Sequence, residues 1–139
     1  MGGPIVKTYT NHEGDFFQIM GKYFAFRDYA HEMGGWQFYT KKGSVWFVLM
    51  DGENVLGFCS IIQERNHIFF DNFYMLKEHR GKGLSRLLWE ERMKYAKSMK
   101  QEIRVISDNP IQIQRYEREG FTFYGMRGKY FKYKMTWHN

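Results

Sequence analysis

Between Val45 and Leu76, three apolar runs follow one another with only two short breaks. Residues 45–50 and 55–62 flank Asp51-Gly-Glu-Asn54, and Arg65-Asn66 separates the second run from the Phe- and Tyr-rich stretch His67–Leu76. Two apolar runs around an Asp-Gly pair make a β-hairpin, and the third run continues it as an antiparallel strand. Any fold for this chain is therefore built on a sheet.

The remaining segments supply its neighbours. Residues 4–10 alternate apolar and polar, as in a strand. Thr10-Asn-His-Glu13 has capping-box spacing, with Asp15 in the following turn. Behind it Phe16, Ile19, Met20, Tyr23, Phe24 and Phe26 recur at helical intervals, and Gly34-Gly35 marks the expected end. Residues 84–99 place Leu84, Leu87, Leu88, Tyr95, Ala96 and Met99 on a helical repeat, with Glu90 four before Lys94. Ile103–Ile106 reads as a short buried strand. Asn109 is placed to cap a helix that begins with Pro110 and stops at Gly120. Phe121–Met126 and Lys129–Trp137 are two last strands around Arg127-Gly128. The order β-α-β-β-β-α-β-α-β-β describes an α/β sandwich around one central sheet.

Composition narrows the class. The 139 residues suit one domain, so residues 1–139 are read as a single unit. Aromatics at 19% exclude global disorder. The one cysteine, Cys59, excludes a small disulfide scaffold and is expected as a buried small hydrophobe. No apolar run approaches the ~18 residues of a membrane span, and the N-terminus lacks an apolar stretch of signal-peptide length. The expected compartment is a reducing cytoplasm. His12, His31, His67, His79 and His138 stand alone, so no metal site is expected.

Charge is uneven. Residues 1–76 carry 6 basic and 8 acidic side chains, net −2; residues 77–139 carry 15 and 7, net +8. An anionic ligand on the C-terminal side fits that imbalance. The strongest candidate lies in Leu76-Lys-Glu-His-Arg-Gly-Lys-Gly-Leu-Ser-Arg-Leu-Leu88, which follows a strand and opens a helix. Gly81 and Gly83 let the backbone turn tightly, and a helix start offers unpaired N–H groups to an anion. Arg80, Lys82 and Arg86 add positive charge. The segment predicts a phosphate or pyrophosphate cradle, while the absence of a Lys-Ser/Thr ending and of an early βαβ unit disfavours ATP and NAD.

Arg80-Gly-Lys-Gly83-Leu-Ser85 resembles the acyl-coenzyme A pyrophosphate loop of the GNAT superfamily of N-acetyltransferases, whose pattern is Arg or Gln, two residues, Gly, one residue, then Gly or Ala. Ser85 departs from that last position. Asp71–His79 resemble the family's fourth strand and its lead-in. Asn109, Tyr116 and Gly120-Phe121 match a further family segment in spacing, and the order of elements matches across nearly the whole chain. The resemblance implies a mixed central sheet flanked by helices, with its fourth and fifth strands splayed to hold acyl-CoA.

It also implies an enzyme that transfers acetyl from acetyl-CoA to an amine by direct attack. The main-chain amides of Arg80, Gly81, Lys82, Gly83, Leu84 and Ser85 would bind the diphosphate. Phe73, Tyr74 and Met75 would pair with the coenzyme arm, the Met75 N–H would polarise the thioester carbonyl, and Asn109 would contact the coenzyme through its amide. Tyr116 would be the general acid. For the base, the family's strand-four glutamate corresponds to Phe69; Asp71 shares that sheet face, and His67 or Glu64 through water are alternatives. Trp36, Phe38 and Tyr39, with part of the first helix, are expected to shape the acceptor pocket. The expected acceptor is a small-molecule or peptide amine, and the expected assembly a monomer or homodimer. The competing reading is a non-catalytic module in which Arg127-Gly-Lys-Tyr-Phe-Lys-Tyr-Lys134 grips nucleic acid or protein.

Overall fold

In the computed structural model, which describes residues 3–25, 38 and 40–137, strand β1 (Ile5–Thr10) leads into helix α1 (Phe16–Ala25). Glu13 reaches back to Thr10, accepting from its N–H at 3.0 Å and its hydroxyl at 2.8 Å. It does not open the helix there, because Asn11 and His12 take positive φ values of 54° and 59° and divert the chain until Phe16. The expected end of that helix at Gly34-Gly35 lies outside the described residues.

The meander follows as β2 (Val45–Asp51), β3 (Asn54–Gln63) and β4 (His67–Met75). Gly52 turns the hairpin at φ 62°, between the paired Asp51 and Asn54. Then come α2 (Ser85–Met99), β5 (Glu102–Ser107), α3 (Pro110–Arg118), β6 (Thr122–Arg127) and β7 (Tyr130–Met135). The element order read from sequence holds throughout the described chain. The seven strands form one mixed sheet in the order β1-β2-β3-β4-β5-β7-β6, antiparallel except for β4 beside β5.

Strand β2 is buried on both faces, which explains its unbroken apolar run. Its Trp46, Val48 and Met50 join Phe16, Met20 and Tyr23 under α1. Phe47 and Leu49 face the other way, with Leu88 and Trp89 of α2 and Tyr116 of α3. Phe38 packs in the α1 core, edge-on to Phe58 and Tyr74 at 4.9 and 5.1 Å. Trp36 and Tyr39 lie outside the described residues. No helix among the described residues is long and apolar enough to cross a membrane.

Candidate functional site

The parallel pairing of β4 with β5 runs only through His67–Glu102, Ile68–Ile103 and Phe69–Arg104. From Phe70 to Met75, β4 keeps β3 on one side and has no strand on the other among the described residues. The N–H of Leu76 donates to Leu56 across β3. Main-chain groups alternate in direction along a strand, so the N–H groups of Met75 and Phe73 point away from β3 into the gap. The splayed pair expected from sequence is present.

A bulge sets this geometry. Phe58 pairs with Tyr74, yet Ser60 pairs with Asp71, so β4 carries one extra residue. Asn72 takes it up at φ 56°. The bulge shifts the side-chain parity: Phe70 and Phe73 both pack on the α2 side, while Tyr74 packs on the α1 side. Opposite the end of β4, a Cβ on Gly57 would lie 2.8 Å from the Tyr74 carbonyl oxygen, so β3 can approach only with glycine there.

The loop after β4 ends at an uncapped helix. Gly81 and Gly83 adopt φ 76° and 75°, and no atom lies within 4 Å of a Cβ built on either. Their requirement is conformational, not one of space. Leu84 stands at the α2 N-cap with no side-chain bond to the first-turn amides; Leu87 N–H donates to the Leu84 carbonyl at 3.0 Å, which leaves those of Ser85 and Arg86 available to an anion. Beside them a cleft of about 520 Å³ is lined by Lys82, Arg86, Arg115 and Arg118 together with Gly83 and Ser85. Arg115 donates to the Ser85 hydroxyl at 3.4 Å and lies over Trp89 at 4.6 Å. The cleft adjoins a groove of about 760 Å³ along α2 that reaches Met135 and Trp137. The Arg80 side chain leaves this cluster and donates from Nε to the Met75 carbonyl at 2.8 Å.

Asn109 caps α3, accepting from Ile111 and Gln112 N–H at 2.9 and 3.3 Å through its oxygen, which commits that oxygen and not its amide NH2. Tyr116 is buried between Trp89 and Phe121. Burial pushes its phenol above 10.0, and the nearby Arg92 guanidinium opposes that shift. Burial also raises Asp71 above 3.8, against the Asn72 N–H that bonds its Oδ1 at 2.9 Å and the charge of Arg92. His67 and Glu64 stand at the paired start of β4, the far end of the strand from Met75. The Cys59 thiol, fully buried, is pushed up to about 11 and is no nucleophile at neutral pH.

In the charged C-terminal stretch Arg127, Lys129 and Phe131 are exposed. Tyr133 is core and donates to Glu117 at 2.8 Å, and the Tyr124 ring is flanked by Arg104, Lys132 and Lys134. No cluster of three or more His, Cys, Asp or Glu able to hold a metal occurs among the described residues. Arg115, Arg118, Arg92 and the Asn72 bulge were not singled out from sequence. The α3 arginines had a signal in their three-residue spacing, and Arg92 in its place on an apolar helix stripe.

The sequence pattern of the Acetyltransferase (GNAT) family matches residues 9–121. No curated protein matches the chain by sequence. Among solved structures, an acyl-CoA N-acyltransferase from Pseudomonas aeruginosa superposes with TM-score 0.75 at 10% identity, covering 94% of this chain and 98% of that one. Escherichia coli ElaA gives 0.71 at 8%, with the same coverages. The PaiA N-acetyltransferase of Thermoplasma acidophilum, solved with coenzyme A, gives 0.61 at 15%, covering 88% and 76%. At these identities the likeness is one of fold.

Proposed function

The chain belongs to the GNAT acetyltransferase family, and from that membership we propose that it transfers the acetyl group of acetyl-coenzyme A to a primary amine of a small molecule or peptide. The observation that carries this reading is the end of β4–β5 pairing at Phe69, beyond which Phe70–Met75 run unpaired on that side toward an uncapped, cation-flanked helix start.

The residues fit an acyl-CoA. The first-turn amides of α2, with Gly81 and Gly83 holding the loop open, would take the diphosphate, and Lys82, Arg86, Arg115 and Arg118 would offset its charge. Phe73 and Met75 would pair with the amide-bearing arm as an added strand. The bound thioester supplies the activated acyl group. The Met75 N–H would stabilise charge developing on its carbonyl oxygen, and a fixed donor of that kind acts on the transition state more than on the ground state. Tyr116 would give its proton to the departing thiolate, since burial keeps the phenol protonated at neutral pH. Asp71 would receive the amine's proton, and burial brings its affinity for that proton closer to neutral. Asn109 would reach the coenzyme with its NH2 while its oxygen caps α3.

The deciding experiment is thiol release from acetyl-CoA against a panel of amines, run beside Tyr116→Phe. Amine-dependent release that collapses in the mutant supports the reading. Absence of release with every amine, together with no acetyl-CoA-induced rise in melting temperature, overturns it.

A further inference from the structure

Arg92 is the only charged side chain fully buried among the described residues. It sits on α2 between Leu88 and Ala96, both buried on the same stripe. Its guanidinium carbon lies 4.0 Å from the Phe70 ring centre and 5.0 Å from that of Phe73, the two phenylalanines that the bulge brings to one face. Its Nη1 donates to the carbonyls of Ser60 and Asp71, at 3.4 and 3.3 Å. These carbonyls stand on the two strands at the point where the pairing slips. Ser60 Oγ donates to the same Asp71 carbonyl at 3.3 Å and accepts from Asn72 Nδ2 at 2.8 Å. The Tyr116 phenol lies close enough to the Arg92 guanidinium for its charge to act on it, Nε and Nη2 make no hydrogen bond of good geometry, and no carboxylate pairs with Arg92 among the described residues.

Such a charge is a poor device for stability. A well-packed apolar side chain at the same place commonly leaves a fold as stable or more so. What an apolar side chain cannot do is donate to the Ser60 and Asp71 carbonyls that border the bulge. Without the bulge, Phe73, Tyr74 and Met75 would exchange faces, and the N–H of Met75 would turn toward β3.

We propose that Arg92 is a positioning residue that pins the β4 bulge and so keeps the main-chain groups of Phe73 and Met75 aimed into the gap between β4 and β5. Its effect on coenzyme binding rests on the acyl-CoA reading, whereas its hold on the bulge does not.

The test uses Arg92→Met and Arg92→Lys in the full chain. Amide hydrogen exchange of residues 72–76 is measured in the free protein, acetyl-CoA affinity by calorimetry, and melting temperature alongside. The expected result for Arg92→Met is an unchanged or higher melting temperature. Exchange at residues 72–76 becomes at least about tenfold faster while β2 is unaffected, and acetyl-CoA binds at least about tenfold more weakly. Arg92→Lys, which keeps donors but loses the planar fork, falls between, and it carries the test if the methionine variant does not fold. Unchanged exchange at residues 72–76 in the folded variants overturns the proposal. If wild-type protein fails to bind acetyl-CoA, the coenzyme reading falls, and the exchange data still decide the role of Arg92.

Discussion

The Nε of Arg80 donates to the carbonyl oxygen of Met75 at 2.8 Å, tying the first residue of the glycine loop to the last residue of β4. Between them Leu76 accepts from His79 N–H and Lys77 from Arg80 N–H, so the corner is a short hydrogen-bonded turn. The side chain thus acts on the shape of the corner and not as a charge aimed into the adjoining cleft.

Arg80→Met should therefore loosen the corner without removing a cation from the cleft. Acetyl-CoA affinity should fall by about tenfold, on the order of one charge-assisted hydrogen bond, while kcat at saturating coenzyme stays close to wild type. Steady-state kinetics across coenzyme concentration check this. An equal loss in kcat would mean that Arg80 acts on the chemistry instead.

Tyr116→Phe removes one hydroxyl from a packed ring and leaves its contacts with Trp89 and Phe121 in place. A general acid typically contributes about 10²–10⁴-fold. kcat should fall within that range, with coenzyme affinity within about twofold of wild type. Because burial raises the phenol above 10.0, wild-type kcat should show no alkaline limb from Tyr116 below pH 10. Turnover unchanged in the mutant would remove Tyr116 from the mechanism.

Much of this was legible in the chain itself. Asp51-Gly52 announces the hairpin because glycine at the turn takes a positive φ, and Asn109-Pro110 announces α3 because both residues suit a helix start. The bulge was not legible. The stretch 67–76 is aromatic on both faces, so a slip in parity between Phe70 and Phe73 leaves no trace in the apolar pattern. The Thr10–Glu13 spacing misleads on where α1 begins, since the side-chain bond forms there around left-handed Asn11 and His12 and not around a helical turn. Arg92 could have been found: a charge at the fourth position between Leu88 and Ala96 falls on the buried stripe.

Asp71→Asn separates two consequences of one buried carboxyl. Burial raises its folded pKa above 3.8. The folded state therefore holds the proton more tightly than the unfolded chain, and stability declines as pH rises from the unfolded value through the folded one. The substituted amide would keep the acceptor for the Asn72 N–H and remove the ionisation. The variant should match wild type well below pH 3.8 and be the more stable protein at pH 7, read by urea unfolding at both pH values. If Asp71 is the base, the acidic limb of the pH–rate profile should also vanish in the variant. Retention of the wild-type limb would assign the base elsewhere.

Gly83→Ala tests the loop by conformation alone. At φ 75° an alanine meets no neighbouring atom, so only backbone strain of roughly 1–2 kcal/mol opposes it. The loop is exposed and can relax toward negative φ, which spares the fold and alters the backbone path into α2. Acetyl-CoA affinity should drop by at least about tenfold, while melting temperature without coenzyme shifts by only a few degrees. The matching substitution at Gly52, equally left-handed but in the β2–β3 turn, should lower the melting temperature and leave affinity nearly unchanged. If both substitutions weaken binding alike, the loop is not a specific cradle, and the affinity loss reports general destabilisation.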